Sequence, residues 1–316
     1  MRELAVVIPV YNEAEQIART VAAVEAALGD CSDLRYRFLL VDDGSADGSW
    51  QAISKLADDK PHLRGVRLSR NFGKEAALCA GLDLAEGVSC LIMDADLQHP
   101  PDVLPRMVAL WREGYDVVEG VKTSRGKESL SYRLLAGSFY WILERLSGFS
   151  FENGSDFKLL DAKVVAAWKR MGESRTFFRG MSAWLGFRRA TVPFAVGERG
   201  AGRSGWSAFK LIRLAVDAIS SFTSAPLHVV TILGLFLFLF AGVLGAQTLA
   251  NKVRGLAVDG FTTVILLQLL IGSILMMSLG IIGIYIARIF DEVKHRPRYV
   301  IAEATASAGK DSGEPD

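Results

Sequence analysis

Between residues 225 and 250 the chain carries no Asp, Glu, Lys or Arg, and residues 261–287 are free of them as well. In water, helices of this composition would expose apolar surface on every side, whereas about 20 apolar residues are what a helix needs to cross a bilayer. Between the two runs lies the hydrophilic connector NKVRGLAVDG, residues 251–260. Two spans joined by so short a loop form a hairpin whose ends lie on one side. Arg288, Lys294, His295, Arg296 and Arg298 follow the second run, and Lys210 and Arg213 precede the first. The positive-inside rule therefore puts both ends in the cytoplasm, with Lys252 and Arg254 of the connector reducing the bias. The alternative, a helical pair buried in a large soluble core, is disfavoured by the length of the runs.

The first 200 residues carry charges every few positions and read as globular sequence. Short apolar runs at 4–10, 36–41, 63–68 and 88–93 alternate with helical patterns at 13–28, 49–58 and 74–84, followed by a helix at 101–111 and a strand near 115–121. Such alternation predicts βαβ units and a parallel α/β sheet, whose ligands bind beyond the carboxyl ends of the strands. Asp42-Asp43 and Asp94-Ala95-Asp96 stand at two of those ends. Downstream, 123–128 reads as a polar loop, 131–146 as an amphipathic helix and 199–205 as a glycine-rich loop. Residues 206–222 set Trp206, Phe209, Ile212, Leu214 and Val216 beside Lys210 and Arg213. That pattern suits an interfacial helix ahead of a span and, equally, a core helix packed on the sheet.

The 316-residue length suggests about two domains. A net charge of +1 offers no basic field for nucleic acid. Three cysteines without a CxxC pair argue against a disulfide framework or zinc site. The N-terminal apolar run is too short for a signal peptide, so the first half is expected in the cytoplasm.

Asp94 and Asp96, at i and i+2 on extended chain, face the same way, and Gln98 follows two positions later. Two carboxylates and an amide offer the oxygen ligands that suit Mg²⁺ or Mn²⁺, which in turn bridges substrate phosphates. Asp42 and Asp43 are placed to accept hydrogen bonds from a nucleobase or ribose; a turn or helix cap before Gly44-Ser45 is the other use for them.

The ordered set VVIPVYNE (6–13), VDDGSADGS (41–49), NFGKEAALCAGL (71–82) and DADLQHPP (94–101) resembles glycosyltransferase family 2, with its GT-A fold. The segments at 175–187, 197–211 and 284–300, with the two-helix C-terminal region, are similar to bacterial polyprenyl-phosphate glycosyltransferases related to dolichol-phosphate mannose synthase. The resemblance runs to about residue 301. It implies an enzyme that transfers sugar from a nucleotide-sugar, UDP-linked by resemblance, to undecaprenyl phosphate with inversion at the cytoplasmic face of the inner membrane, yielding a lipid-linked sugar for cell-envelope glycosylation. Pro9, Tyr11, Glu13, Asp42, Asp43, Lys74 and Asp94 would hold the donor, while Asp94, Asp96 and Gln98 would hold Mg²⁺ or Mn²⁺. Arg125, Arg133, Arg203 and Ser204 would meet the acceptor phosphate and the leaving diphosphate. His99 departs from the pattern, where an aspartate usually follows the glutamine. Asp156, in GSDFKLLD (154–161), matches the segment that supplies a catalytic aspartate in the family. A polyprenyl phosphate with a second pKa of about 6 is already largely dianionic at neutral pH, so Asp156 is expected to orient acceptor-binding groups, with proton abstraction secondary. Relatives also imply a homo-oligomer, a tetramer.

The expected organisation is a cytoplasmic GT-A domain over 1–203, an interfacial helix over 204–223 and a transmembrane hairpin over 224–288 (spans 224–250 and 261–288). A cytoplasmic tail over 289–316, disordered from residue 302, completes it. GAGRSG at 200–205 matches GxGxxG by letter but lacks the βαβ unit that a dinucleotide site needs. A processive synthase would carry more spans and a QxxRW motif, absent here. A catalytically inactive scaffold, or a lipid-carrier partner, is the reading from another class, and the intact acidic trio opposes it; a glycosyltransferase with a different acceptor is the nearer alternative.

Overall fold

The computed structural model describes residues 2–29, 31, 33–122, 155–173, 177–195, 225–255 and 260–305. The expected loop at 123–128, the helices at 131–146 and 206–222 and the glycine-rich loop at 199–205 lie outside them. The described residues fall into two units: the α/β domain, rejoined by the chain from Arg296 onward, and a helical unit.

Strand β1 (Arg2–Val10) sits inside the sheet because Leu4, Ala5, Val6, Val7 and Ile8 are all buried, as a strand covered on both faces requires. It pairs in parallel with β2 (Leu34–Asp42) and β4 (Ser89–Ile92), and β2 with β3 (Leu63–Leu68). Three helices alternate with these strands: α1 (Ile17–Gly29), α2 (Ser49–Asp59) and α3 (Lys74–Leu84). Helix α1 turns Ile17, Thr20, Val21, Val24 and Leu28 inward at helical spacing. The Ala-rich α3 lies so close to β1 that a Cβ on Gly81 would stand 2.2 Å from Val7 Cγ1. Glycine there permits the close approach that places the N-terminus of α3 by the strand ends.

After α4 (Leu104–Arg112) the sheet changes direction. Strand β5 (Val117–Lys122) pairs with β6 (Lys158–Leu160), which runs antiparallel to both β5 and β4. Helices α5 (Ala162–Lys169) and α6 (Phe178–Trp184) follow, then β7 (Arg189–Phe194), parallel to β5. With β8 (Ile301–Ala304) at the far edge, the order across the sheet is β7-β5-β6-β4-β1-β2-β3-β8.

The last strand corrects an expectation. Residues beyond 301 read as a disordered tail, yet β8 (Ile301–Ala304) pairs antiparallel with the β3 edge. Thr305 extends the contact, its N–H donating to Gly65 O and its Oγ1 accepting from Gly65 N. Local composition carried no signal of this, because the free edge that the strand satisfies lies more than two hundred residues earlier in the chain.

In the second unit, α7 (Ala225–Val253) and α8 (Phe261–Val293) contain the candidate spans, Pro226–Val253 and Leu267–Val293, of mean hydropathy 2.6 and 2.3. Phe236, Phe238, Val243, Met276 and Ile286 are exposed on them. A 28-residue helix is about 42 Å long at 1.5 Å per residue, sufficient for a hydrocarbon core of about 30 Å.

Candidate active site

The carboxyl ends of β1, β2 and β4 and the N-terminus of α3 enclose a cleft of ≈ 290 Å³. Pro9, Tyr11, Glu13, Asp43, Lys74, Asp94 and Asp96 line it, all predicted donor or metal residues. Parallel strands bring their ends to one edge of the sheet, so residues far apart in sequence meet there. Tyr11, which lines the cleft, is 48% exposed.

Asp43 accepts from the backbone N–H groups of Phe72 and Gly73 at 2.7 and 2.9 Å, which fixes the loop that starts α3. Asp42 behaves otherwise. It was expected to meet the nucleotide, but its side chain is fully buried and does not line the cleft. Its Oδ1 accepts from Ser45 N at 3.1 Å, and its Oδ2 lies 3.3 Å from Arg67 Nε. The turn-capping use applies to Asp42. Gly44 follows at φ +67, where a Cβ would collide with the Arg70 backbone at 2.5 Å.

The Asp94–Gln98 segment is held from several sides. Thr20 of α1 donates to Ala95 O at 2.5 Å, and Gln98 N donates to Asp96 Oδ1 at 3.1 Å. Leu97 is left-handed at φ 55, a conformation that costs a residue with a Cβ about 1–2 kcal/mol. His99 is buried and stacks on Phe157 at 4.8 Å, with Nδ1 positioned to accept from Asp94 N at 3.3 Å. That assigns the proton to Nε2; burial lowers the pKa of the ring and favours this neutral form. The sequence departure at 99 is thus a backbone support for Asp94.

Asp156 reaches the site because β6 is antiparallel. Ile92, at the end of β4, pairs with Lys158, so the residues entering β6 stand beside those leaving β4. Lys74 Nζ lies 2.6 Å from Asp94 Oδ1 and 2.8 Å from Asp156 Oδ2. From the other side Arg179 of α6 grips Asp156 through Nε at 2.7 Å and a terminal nitrogen at 3.0 Å. Burial would raise the Asp156 pKa, but the hydrogen bonds and charge of Arg179, joined by Lys74, hold it well below the usual carboxylate range. Burial likewise opposes the charge on Lys74, and Asp94 and Asp156 more than offset it. Asp156 is therefore a fixed anion between two cations and a poor proton acceptor at neutral pH.

Arg179 and Glu75 are the residues that sequence reasoning missed. Glu75, beside Lys74, accepts from Phe178 N at 2.7 Å and so fixes the start of α6 one residue before Arg179. The available signal was a lone arginine in the otherwise uncharged run FFRGMSAW, residues 177–184. Arg125, Arg133, Arg203 and Ser204, predicted to bind phosphate, lie outside the described residues.

No group of three His, Cys, Asp or Glu side chains suited to a metal occurs among the described residues. Two carboxylates, Asp94 and Asp96, with the oxygen of Gln98 two residues on, nevertheless match what Mg²⁺ takes from protein when phosphates and waters supply its other ligands. The donor set fits a hard divalent cation.

The family model of Glycosyl transferase family 2 matches residues 5–168, a stretch that holds every acid lining the cleft. The chain belongs to glycosyl transferase family 2. An uncharacterized glycosyltransferase of Synechocystis sp. is 36% identical over 303 residues, 95% of each chain. A bactoprenol glucosyl transferase of Shigella phage SfV is 34% identical over 301 residues, 95% of this chain and 98% of that one. Among solved structures, a mannosyltransferase from Pyrobaculum calidifontis in complex with GDP-Man and Mn²⁺ has a TM-score of 0.47 at 21% identity, covering 67% of this chain and 60% of that one. This family 2 glycosyltransferase thus joins a mostly parallel, GT-A-like α/β domain to two C-terminal apolar helices that are candidate membrane spans.

Proposed function

We propose that this glycosyltransferase moves a sugar from a nucleotide-sugar to a polyprenyl phosphate, undecaprenyl phosphate in bacteria, at the cytoplasmic face of the inner membrane. The observation that carries the reading is the extent of the likeness to the bactoprenol glucosyl transferase, which takes in the apolar helices as well as the catalytic domain. A lipid acceptor gives both parts a purpose, since its phosphate lies at the membrane surface to which a spanning hairpin would tether the chain.

Tyr11 would stack on the base, and Asp94, Asp96 and Gln98 would hold Mg²⁺ or Mn²⁺ against the donor diphosphate. Bound there, the cation supplies charge neutralisation for the leaving nucleoside diphosphate. One oxygen of the acceptor phosphate attacks the anomeric carbon while the bond from that carbon to the diphosphate oxygen breaks on the opposite face. A single in-line displacement inverts the anomeric configuration. The nucleophile has already lost its proton, with a second pKa of about 6, so the reaction needs no base, and the ion-paired state of Asp156 accords with that. Asp156 orients Lys74 and Arg179. Arg125, Arg133 and Arg203, with Ser204, would receive the acceptor phosphate, for which the planar guanidinium fork is suited. Both ends of the hairpin lie in the cytoplasm on the positive-inside count, and the enzyme assembles as a homo-oligomer, a tetramer by family resemblance.

The test is nucleotide release from a panel of UDP- and GDP-sugars by the purified chain in detergent, with undecaprenyl phosphate and Mg²⁺ or Mn²⁺. Turnover that requires lipid and metal and is lost in Asp96→Ala supports the reading and identifies the sugar. Turnover indifferent to the lipid would refute the acceptor, and failure to bind any donor would favour an inactive scaffold.

A further inference from the structure

Beyond the residues that line the cleft, the strand that closes the sheet carries an acid bonded to both β3 and α2. Glu303 on β8 stands opposite Arg67 on β3 in the strand register. One of its carboxylate oxygens accepts from an Arg67 terminal nitrogen at 3.1 Å, and the other from Trp50 Nε1, in the first turn of α2, at 2.9 Å. Arg67 reaches further. Its Nε faces the buried Asp42 at 3.3 Å, and its second terminal nitrogen donates to Ser45 O at 3.4 Å.

Those contacts converge on the turn between β2 and α2, and this turn is bonded to the cleft wall. Asn12 N donates to Ser45 Oγ at 2.9 Å, Glu13 N to Ser49 Oγ at 2.9 Å, and Ala46 N to Asn12 Oδ1 at 3.0 Å. Asn12 is itself left-handed at φ 55, a conformation that asparagine adopts more readily than most residues with a Cβ. Tyr11, Glu13 and Asp43, which line the cleft, are thus set by a turn whose buried anion has Arg67 as its counter-charge.

We propose that Glu303 is a positioning residue for the nucleotide-binding cleft, acting through Arg67 on the turn that carries Asp42 and Asp43. A guanidinium that is 31% exposed can swing into water, and Glu303 holds it over an Asp42 that is 0% exposed. Without that hold, Asp42 would be left for part of the time as an unpaired buried charge, which the turn relieves by moving toward solvent. The segment that follows the second apolar helix then helps to set the donor site from outside it. This rests on reading the cleft as a nucleotide site.

The measurement is calorimetric binding of UDP and of GDP to the full chain in detergent with Mg²⁺. Glu303→Gln keeps an acceptor for Trp50 but removes the charge, and is expected to weaken whichever nucleotide the unaltered chain binds by about two- to fivefold, the range of a partly exposed ion pair. In an Arg67→Lys background, where a cation remains near Asp42 without the bridging fork, the same substitution is expected to add less than about 1.5-fold, because coupled sites are not additive. Thr305→Val, which removes a β8–β3 hydrogen bond, is expected to lower Tm and leave the affinity in place. Unchanged affinity in Glu303→Gln, full additivity with Arg67→Lys, or equal weakening by Thr305→Val would overturn the proposal while the nucleotide site stands. If neither nucleotide binds the unaltered chain, the reading of the cleft fails and the proposal fails with it.

Discussion

Replacing Asp156 by Asn removes the carboxylate charge that pairs with both Lys74 and Arg179, with little change of shape. The Asp156 side chain is 9% exposed, whereas Lys74 and Arg179 are 40% and 42% exposed. Breaking a fully buried ion pair from one side costs about 3–5 kcal/mol. Here both cations keep access to water, so the expected loss is about 1–2 kcal/mol. The pKa of Asp156 is depressed in the folded chain, so its contribution is present above the unfolded value of about 3.9 and disappears as the pH falls below it. The variant should therefore lose less stability on acidification than the parent. For activity, two misdirected cations should lower kcat/KM by roughly 10- to 100-fold through lost positioning. The pH profile separates this from loss of a general base. The acid limb, set by the acceptor phosphate near a pKa of about 6, should persist in Asp156→Asn, and the rate should stay flat at high pH. A rate that climbs with pH in the variant, at a slope of about one on logarithmic axes, would refute the orienting role and make Asp156 the base.

Gly81→Ala places a Cβ 2.2 Å from Val7 Cγ1; overpacking of about 1–3 kcal/mol should lower Tm by roughly 3–10 °C and, by moving the helix that begins at Lys74, weaken nucleotide binding. An unaltered Tm would mean that α3 does not press on β1 as described. Burial raises the Glu75 carboxyl to about 7, so its contribution to stability is complete below its unfolded pKa of about 4.3 and is lost as the pH rises through 7. Thermal unfolding across about pH 5 to 8 should show the parent losing about 1–3 kcal/mol relative to Glu75→Gln; a difference constant with pH would count against a partly buried, protonated Glu75.

The order of strands and helices through residue 122, the acids at the strand ends and the two long apolar helices were all legible in the sequence, because each is written in neighbouring residues. Period two or period 3.6 identifies an element, and a long run without charge marks an apolar helix. Tertiary structure decided which residues share the cleft. Asp42 and Asp43 are adjacent and chemically alike, yet the bend after β2 buries the first against Arg67 and turns the second to the cleft. Asp156 meets Lys74 only because β6 runs antiparallel to β4, and Arg179 meets it only because α6 packs beside that strand. Nothing near Ile301 announces a strand, since its partner is the open edge of β3. Pairing order and direction are settled by burial and edge satisfaction summed over the whole sheet, and no local window of sequence contains that sum.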